Sequence, residues 1–63
     1  MKYRDLVKRL NDEGCVLVRH GHDHDFFRNV ITGAMQPVPR HREINENTAR
    51  AIIRALATPE EPS

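Results

Sequence analysis

The sequence predicts an α+β domain in the order α-β-β-β-α, with a three-stranded antiparallel sheet and both helices on one of its faces. Three observations carry this. Apolar residues recur at helical spacing near each end, as Tyr3-Leu6-Val7-Leu10 and Ala49-Ile52-Ile53-Leu56. Between them lie short runs rich in β-branched and aromatic residues, punctuated by Gly14, Gly21 and Gly33. Two amphipathic helices and a meander bury most economically when both helices cover the same sheet face.

Each element has a local reason. The first stripe repeats at i, i+3, i+4 and i+7 with Arg4 and Lys8 on its flanks, and Gly14 supplies the stop. Cys15-Val16-Leu17-Val18-Arg19 then reads as a strand, with Cys15 as a buried small hydrophobe. After the Gly21 turn, His24 to Asn29 reads as a second strand whose side chains alternate, 24, 26 and 28 to one face and 25, 27 and 29 to the other. His24 and Asp25 therefore point apart. Ala34 to Pro39 is a third extended segment, and its two prolines, which cannot donate to a ladder, predict a sheet edge or an early strand end. Asn45 is the expected N-cap of the second helix, with Ile44 stapling against Ala49 and Thr58-Pro59 ending it.

Sixty-three residues make one domain, expected over 1–57, with 58–63 as a disordered polar tail. A core this small gains from a binding partner. One cysteine permits no internal disulfide, and no stretch approaches the roughly 20 apolar residues of a membrane span. A soluble, cytoplasmic protein without membrane contact is expected. The net charge is +1, but Glu60 and Glu61 sit in the tail, so the body is more basic than the total. That balance permits nucleic-acid binding without requiring it.

Three of the four histidines fall at 20, 22 and 24, beside Asp23 and Asp25. Imidazole titrates near neutral pH, so this density points to proton transfer or to metal binding. In an extended segment His20, His22 and His24 would share a side and could gather a zinc or nickel ion. A polar loop without function is the plainer alternative.

The ordered set Tyr3-Arg4-Asp5-Leu6-Val7-Lys8-Arg9-Leu10, the glycine before the first strand, Gly21 to His24, Val38-Pro39-Arg40-His41 and Ile44-Asn45-Glu46-Asn47 resembles the HicA toxin family over about residues 2 to 57. That resemblance implies a fold like the double-stranded-RNA-binding domain and the activity of an mRNA interferase, the toxin of a type II toxin–antitoxin system neutralised by a HicB antitoxin. It also places the family's catalytic histidine on His24. The chain departs from the usual pattern at His22, where a small residue is common, and at Cys15, where an aromatic residue is common.

RNA carries its own nucleophile in the ribose 2′-hydroxyl, so cleavage needs a base, an acid for the departing 5′-oxygen and cations for the phosphorane. His24 is the expected general acid or base, and His22 and His41 are possible helpers. Arg19, Arg28, Arg40 and Arg42 flank the strand ends as candidate phosphate ligands, since a guanidinium fork spans two oxygens. No metal and no cofactor is expected. The cluster His20, His22, Asp23 and His24 resembles that of metallo-β-lactamase-like hydrolases, but its spacing is one residue short and the chain is far too small for that fold. The expected partners are mRNA and the HicB protein, with no direct DNA contact. Two rivals remain open: a non-catalytic RNA-binding module of the same fold, and an interaction subunit whose role is to be held by its antitoxin.

Overall fold

A computed structural model of the chain describes residues 1–56. Its elements run α1 (Tyr3–Asp12), β1 (Cys15–His20), β2 (His24–Asn29), β3 (Met35–Pro39) and α2 (Glu46–Leu56). This is the α-β-β-β-α order expected, with β1 one residue longer and β3 one residue shorter than read from sequence. The expected helix stop at Thr58-Pro59 and the tail at 58–63 lie outside the described residues. No helix among the described residues is long and apolar enough to cross a membrane.

The helices end where local chemistry ends them. Gly14 adopts φ +88°, a region open to glycine at little cost, and its N–H reaches the Asn11 carbonyl at 3.1 Å. At the start of α2 the Asn45 side chain accepts the Asn47 N–H at 2.8 Å, and Ile44 and Ala49 are both buried. The cap and the staple are therefore as expected.

The sheet has the order β1-β2-β3 and both pairings are antiparallel. Pro37 and Pro39 thus lie on an edge strand, as their missing donors require. Asp25, Phe27 and Asn29 face the helices while His24 and Arg28 are exposed on the other face. Leu6 and Leu10 of α1 and Ala49, Ile52 and Leu56 of α2 close over Cys15, Phe27 and Val38, with Ile44 completing the core. Each large apolar side chain so buried contributes roughly 1.5–3 kcal/mol. Cys15 is fully buried, and burial, then the charge of Glu13, pushes its thiol above the ordinary range. It is packing material, not a nucleophile.

One irregularity breaks the alternation. Leu17 pairs with Phe27 and Arg19 with Phe26, so Val18 is an extra residue, a β-bulge. Without it Arg19 would share the face of Cys15 and Leu17. With it, His20 comes round to that face, directly opposite Asp25.

Asn29 is the buried polar counterpart of this core. Its Nδ2 donates to the Leu56 carbonyl at 2.7 Å, while Oδ1 accepts the N–H groups of Ile31 and Thr32 at 2.8 and 3.1 Å. It joins the last described turn of α2 to the β2–β3 connection. Asn29→Ala is expected to cost about 1–3 kcal/mol, the penalty of leaving buried polar groups unpaired. A urea midpoint equal to that of the wild type would show that these bonds carry no net stability.

Candidate functional site

The site is built on the β1–β2 hairpin. The Gly21 N–H donates to the His24 carbonyl at 2.6 Å, and a Cβ on Gly21 would stand 2.9 Å from the Phe26 ring and 3.0 Å from that carbonyl oxygen. Only glycine fits so tight a return. From beyond β3, Arg40 pins the hairpin, its Nη2 donating to the carbonyls of Gly21 at 3.1 Å and His22 at 2.6 Å and its backbone N–H to Asp23 at 3.2 Å. Three histidines are thereby carried on a braced turn.

Beneath the turn lies Asp25, only 3% exposed. A buried carboxylate is costly unless it is paired and hydrogen-bonded, and here both oxygens are occupied. The Tyr3 hydroxyl donates to Oδ2, His20 Nδ1 lies 2.7 Å from Oδ1, and Arg40 Nε approaches Oδ1 at 3.6 Å. Burial by itself pushes this carboxyl up, but the bonds from Tyr3 and His20 and the charges of His20 and Arg40 outweigh it and hold the group below its ordinary range. Tyr3 responds in the opposite sense. Burial first, then its bond to Asp25, push the phenol up to about 12. This four-residue cluster was not read from the sequence. The available signal was a carboxylate on the same strand face as Phe27, where an ionised group needs partners.

The residues expected from the sequence fall into two groups. His24 is exposed at the start of β2, opposite Pro39, on the rim of a groove walled by Pro37 and Pro39 of β3 and Thr48 and Ala51 of α2. Arg19 and Arg28 share its face of the sheet, Arg19 stacked 4.3 Å over the Phe26 ring and Arg28 between Val16 and Met35. On the Asp25 side of β2, His41, Arg40 and Arg42 line a cleft of about 490 Å³ with Lys2, Tyr3, Arg4 and Asp25. Its positive wall surrounds a carboxylate already satisfied by its neighbours. His22 sits fully exposed at the turn, 3.8 Å from Asp23 Oδ1.

These placements bear on the candidate roles. Asp25 does not partner His24, as strand alternation required. The premise for a shared histidine face fails, because the turn at 21–23 separates His20 from His24 and Asp25 engages His20. Among the described residues no three His, Cys, Asp or Glu side chains are gathered as a metal would need. Arg40 spends its guanidinium on the hairpin, leaving Arg42, Lys2 and Arg4 as the outward charges of the cleft.

The Tyr3–Asp25 bond is open to direct observation, since Tyr3 is the only tyrosine and the chain has no tryptophan. Its tyrosinate absorbance is expected to rise with a midpoint near 12 rather than the ordinary 10. Because the folded-state value is the higher one, the associated stability is complete below pH 10 and declines as the pH climbs toward 12. For Asp25, depressed in the fold, the contribution is complete above the ordinary carboxyl value of 3.8 and is lost as the pH falls below it. A tyrosine midpoint at 10 would mean that the hydroxyl is not bound to the carboxylate.

Comparison with known proteins places this arrangement. No curated protein and no solved structure matched the chain. One family model did, over residues 3–57, nearly the whole sequence; it is described as HicA toxin of bacterial toxin–antitoxin. The chain therefore belongs to the HicA toxin family, as the toxin component of a toxin–antitoxin system.

Proposed function

We propose that the chain is a metal-independent endoribonuclease that cleaves mRNA in the cytoplasm, with His24 in proton transfer, and that a HicB antitoxin holds it inactive. The observation that carries this reading is the setting of His24. It is an exposed imidazole at the start of a strand, on a hairpin braced by Arg40 and by the Gly21–His24 hydrogen bond. It also stands where the family resemblance puts the catalytic histidine. A proton-transfer group must be held in place while remaining open to substrate, and this position meets both needs.

Chemically, the ribose 2′-hydroxyl attacks the adjacent phosphorus and the 5′-oxygen departs. One positioned imidazole contributes roughly a hundred- to ten-thousand-fold to such a reaction. Arg19 and Arg28, on the same sheet face, supply charge for the phosphodiester, and Arg42 extends that charge around the domain. Val16 and Met35 flank Arg28 on that face and are exposed. That mixture of apolar area and guanidinium is the kind of surface a protein partner covers. We assign it to HicB, which blocks RNA by covering the basic sheet face beside His24.

The rival is an RNA-binding module of the same fold without catalysis. Purified chain is expected to cut RNA in the presence of chelator, and His24→Ala to lose at least a hundredfold in rate while retaining RNA affinity. Equal cleavage by both proteins would remove His24 from the reaction. Activity that chelator abolishes and one divalent ion restores would overturn metal independence. Reversal of Arg19 and Arg28 to glutamate is expected to weaken antitoxin binding by about tenfold or more. Affinity equal to wild type would place the antitoxin on another face.

A further inference from the structure

We propose that the cleft at the start of α1 is a second RNA site, in which Lys2, Arg4 and Arg42 hold the phosphodiester backbone of a strand away from the bond that is cut. The inference rests on the reading that RNA is the substrate, and it gives a ligand to charges that proton transfer at His24 does not use.

The first observation is the charge balance. Lys2, Arg4, Arg40 and Arg42 line the cleft, and Asp25 is its one carboxylate. That carboxylate is buried and already engaged by Tyr3, His20 and Arg40. Glu43 and Glu46, which follow Arg42 in the chain, both accept from the Met1 α-amino group, at 3.0 and 2.9 Å. Among the described residues no carboxylate pairs with Lys2, Arg4 or Arg42. A cleft lined by one sign of charge focuses the field within it and draws in counter-ions. An anion relieves the repulsion among these cations, and no group of the described chain does.

The second observation is that the cations are in place before any ligand arrives. The segment ahead of α1 pairs antiparallel with the segment ahead of α2, Lys2 opposite Glu43. The Tyr3 N–H reaches the Arg42 carbonyl at 3.0 Å, and the Ile44 N–H reaches the Met1 carbonyl at 2.7 Å. Lys2, Arg4 and Arg42 are therefore carried on one cross-braced stretch of backbone, with their side chains exposed. No side chain caps α1 at Lys2, so the positive end of the helix adds to the same wall.

The third observation is chemical. The guanidinium forks of Arg4 and Arg42 each span two oxygens of a phosphodiester, and Lys2 adds a point charge. A nucleic-acid strand carries one such anion on every residue, so successive phosphates of a single ligand meet all three cations. None of these contacts reads a base, and the site accepts any sequence. A strand tethered there keeps its other phosphodiesters at high effective concentration around the domain, His24 included, and the two sites need share no atom.

The test is RNA binding by the full chain, followed by fluorescence anisotropy over a range of salt. The probe is a single-stranded RNA bearing 2′-O-methyl groups, which lacks the nucleophile and stays intact. Lys2→Gln with Arg4→Gln is expected to weaken binding by about tenfold or more and to flatten the slope of log K against log salt by about 1.4, roughly 0.7 for each lost phosphate contact. Lys8→Gln with Arg9→Gln removes the same charge from α1 outside the cleft and is expected to change affinity by less than about threefold. Both pairs are exposed, so both variants are expected to keep the wild-type fold by circular dichroism. Arg42→Gln alone, expected to flatten the slope by about 0.7, serves if the first pair unfolds. Equal weakening by both pairs makes net charge the cause and overturns the site, as does wild-type affinity in the cleft variant. Displacement of the RNA by an equal concentration of inorganic phosphate assigns the cleft to a small anion and overturns the RNA assignment. Loss of antitoxin binding with RNA affinity intact gives the cleft to a protein and overturns it too. Cleavage of unmodified RNA is measured alongside. A cleft-dependent slope without cleavage upholds this site and overturns the nuclease reading. Cleavage that needs His24, with binding indifferent to Lys2 and Arg4, does the reverse.

Discussion

A negative charge placed under an apolar roof is the constraint on which the working end of this domain depends. Asp25 occupies a position on the same strand face as Phe27, and that position is tolerable only because Tyr3, His20 and Arg40 converge on it. These three come from α1, β1 and the segment after β3. One carboxylate therefore fixes the relation of three parts of the chain at the hairpin end. Removal of Tyr3 or His20 would leave the carboxylate short of a hydrogen bond, and removal of Arg40 would take away a neighbouring charge, in a place water reaches poorly, where single polar interactions matter most. A core of nine buried apolar residues among those described has little surplus with which to absorb such a loss.

Most of the fold was legible in the sequence because periodicity reports which face of an element is buried. The stripes at Leu6 and Leu10 and at Ala49, Ile52 and Leu56 are the observed core, the prolines of β3 lie on an edge, and Asn45 caps its helix. The candidate site was legible only in part. Alternation could separate His24 from Asp25, but with Phe26 on one face and Phe27 on the other it could not say which of the two is exposed. The Val18 bulge could not be located, since the extra residue leaves no mark in a run of valines and leucine and is fixed by tertiary pairing. Without the bulge, regular alternation sends His20 to the face away from Asp25. Its partnership with Asp25 is therefore invisible to alternation, and so is the separation of His20 from His24 by the turn.

The cations divide along the same line as the histidines. Arg19 and Arg28 lie on the open sheet face with His24, while Arg42, His41, Lys2 and Arg4 ring the cleft at the start of α1, on the side of Asp25. Arg40 lines the same cleft and also braces the hairpin, its Nη2 donating to the carbonyls of Gly21 and His22 and its Nε standing 3.6 Å from Asp25. Net charge alone, +1 for the chain, hides both the concentration and the division.

The bulge has a further effect on how the free protein meets other chains. β1 forms one border of the sheet, and its side chains Val16, Leu17 and Val18 are exposed. An unbroken border of this composition would template the addition of another strand, and copies of the chain would be prone to join edge to edge. The extra residue at Val18 interrupts that template after three regularly spaced positions, Cys15, Val16 and Leu17. The same local distortion that turns an imidazole toward its carboxylate thus also interrupts the regular edge of the sheet.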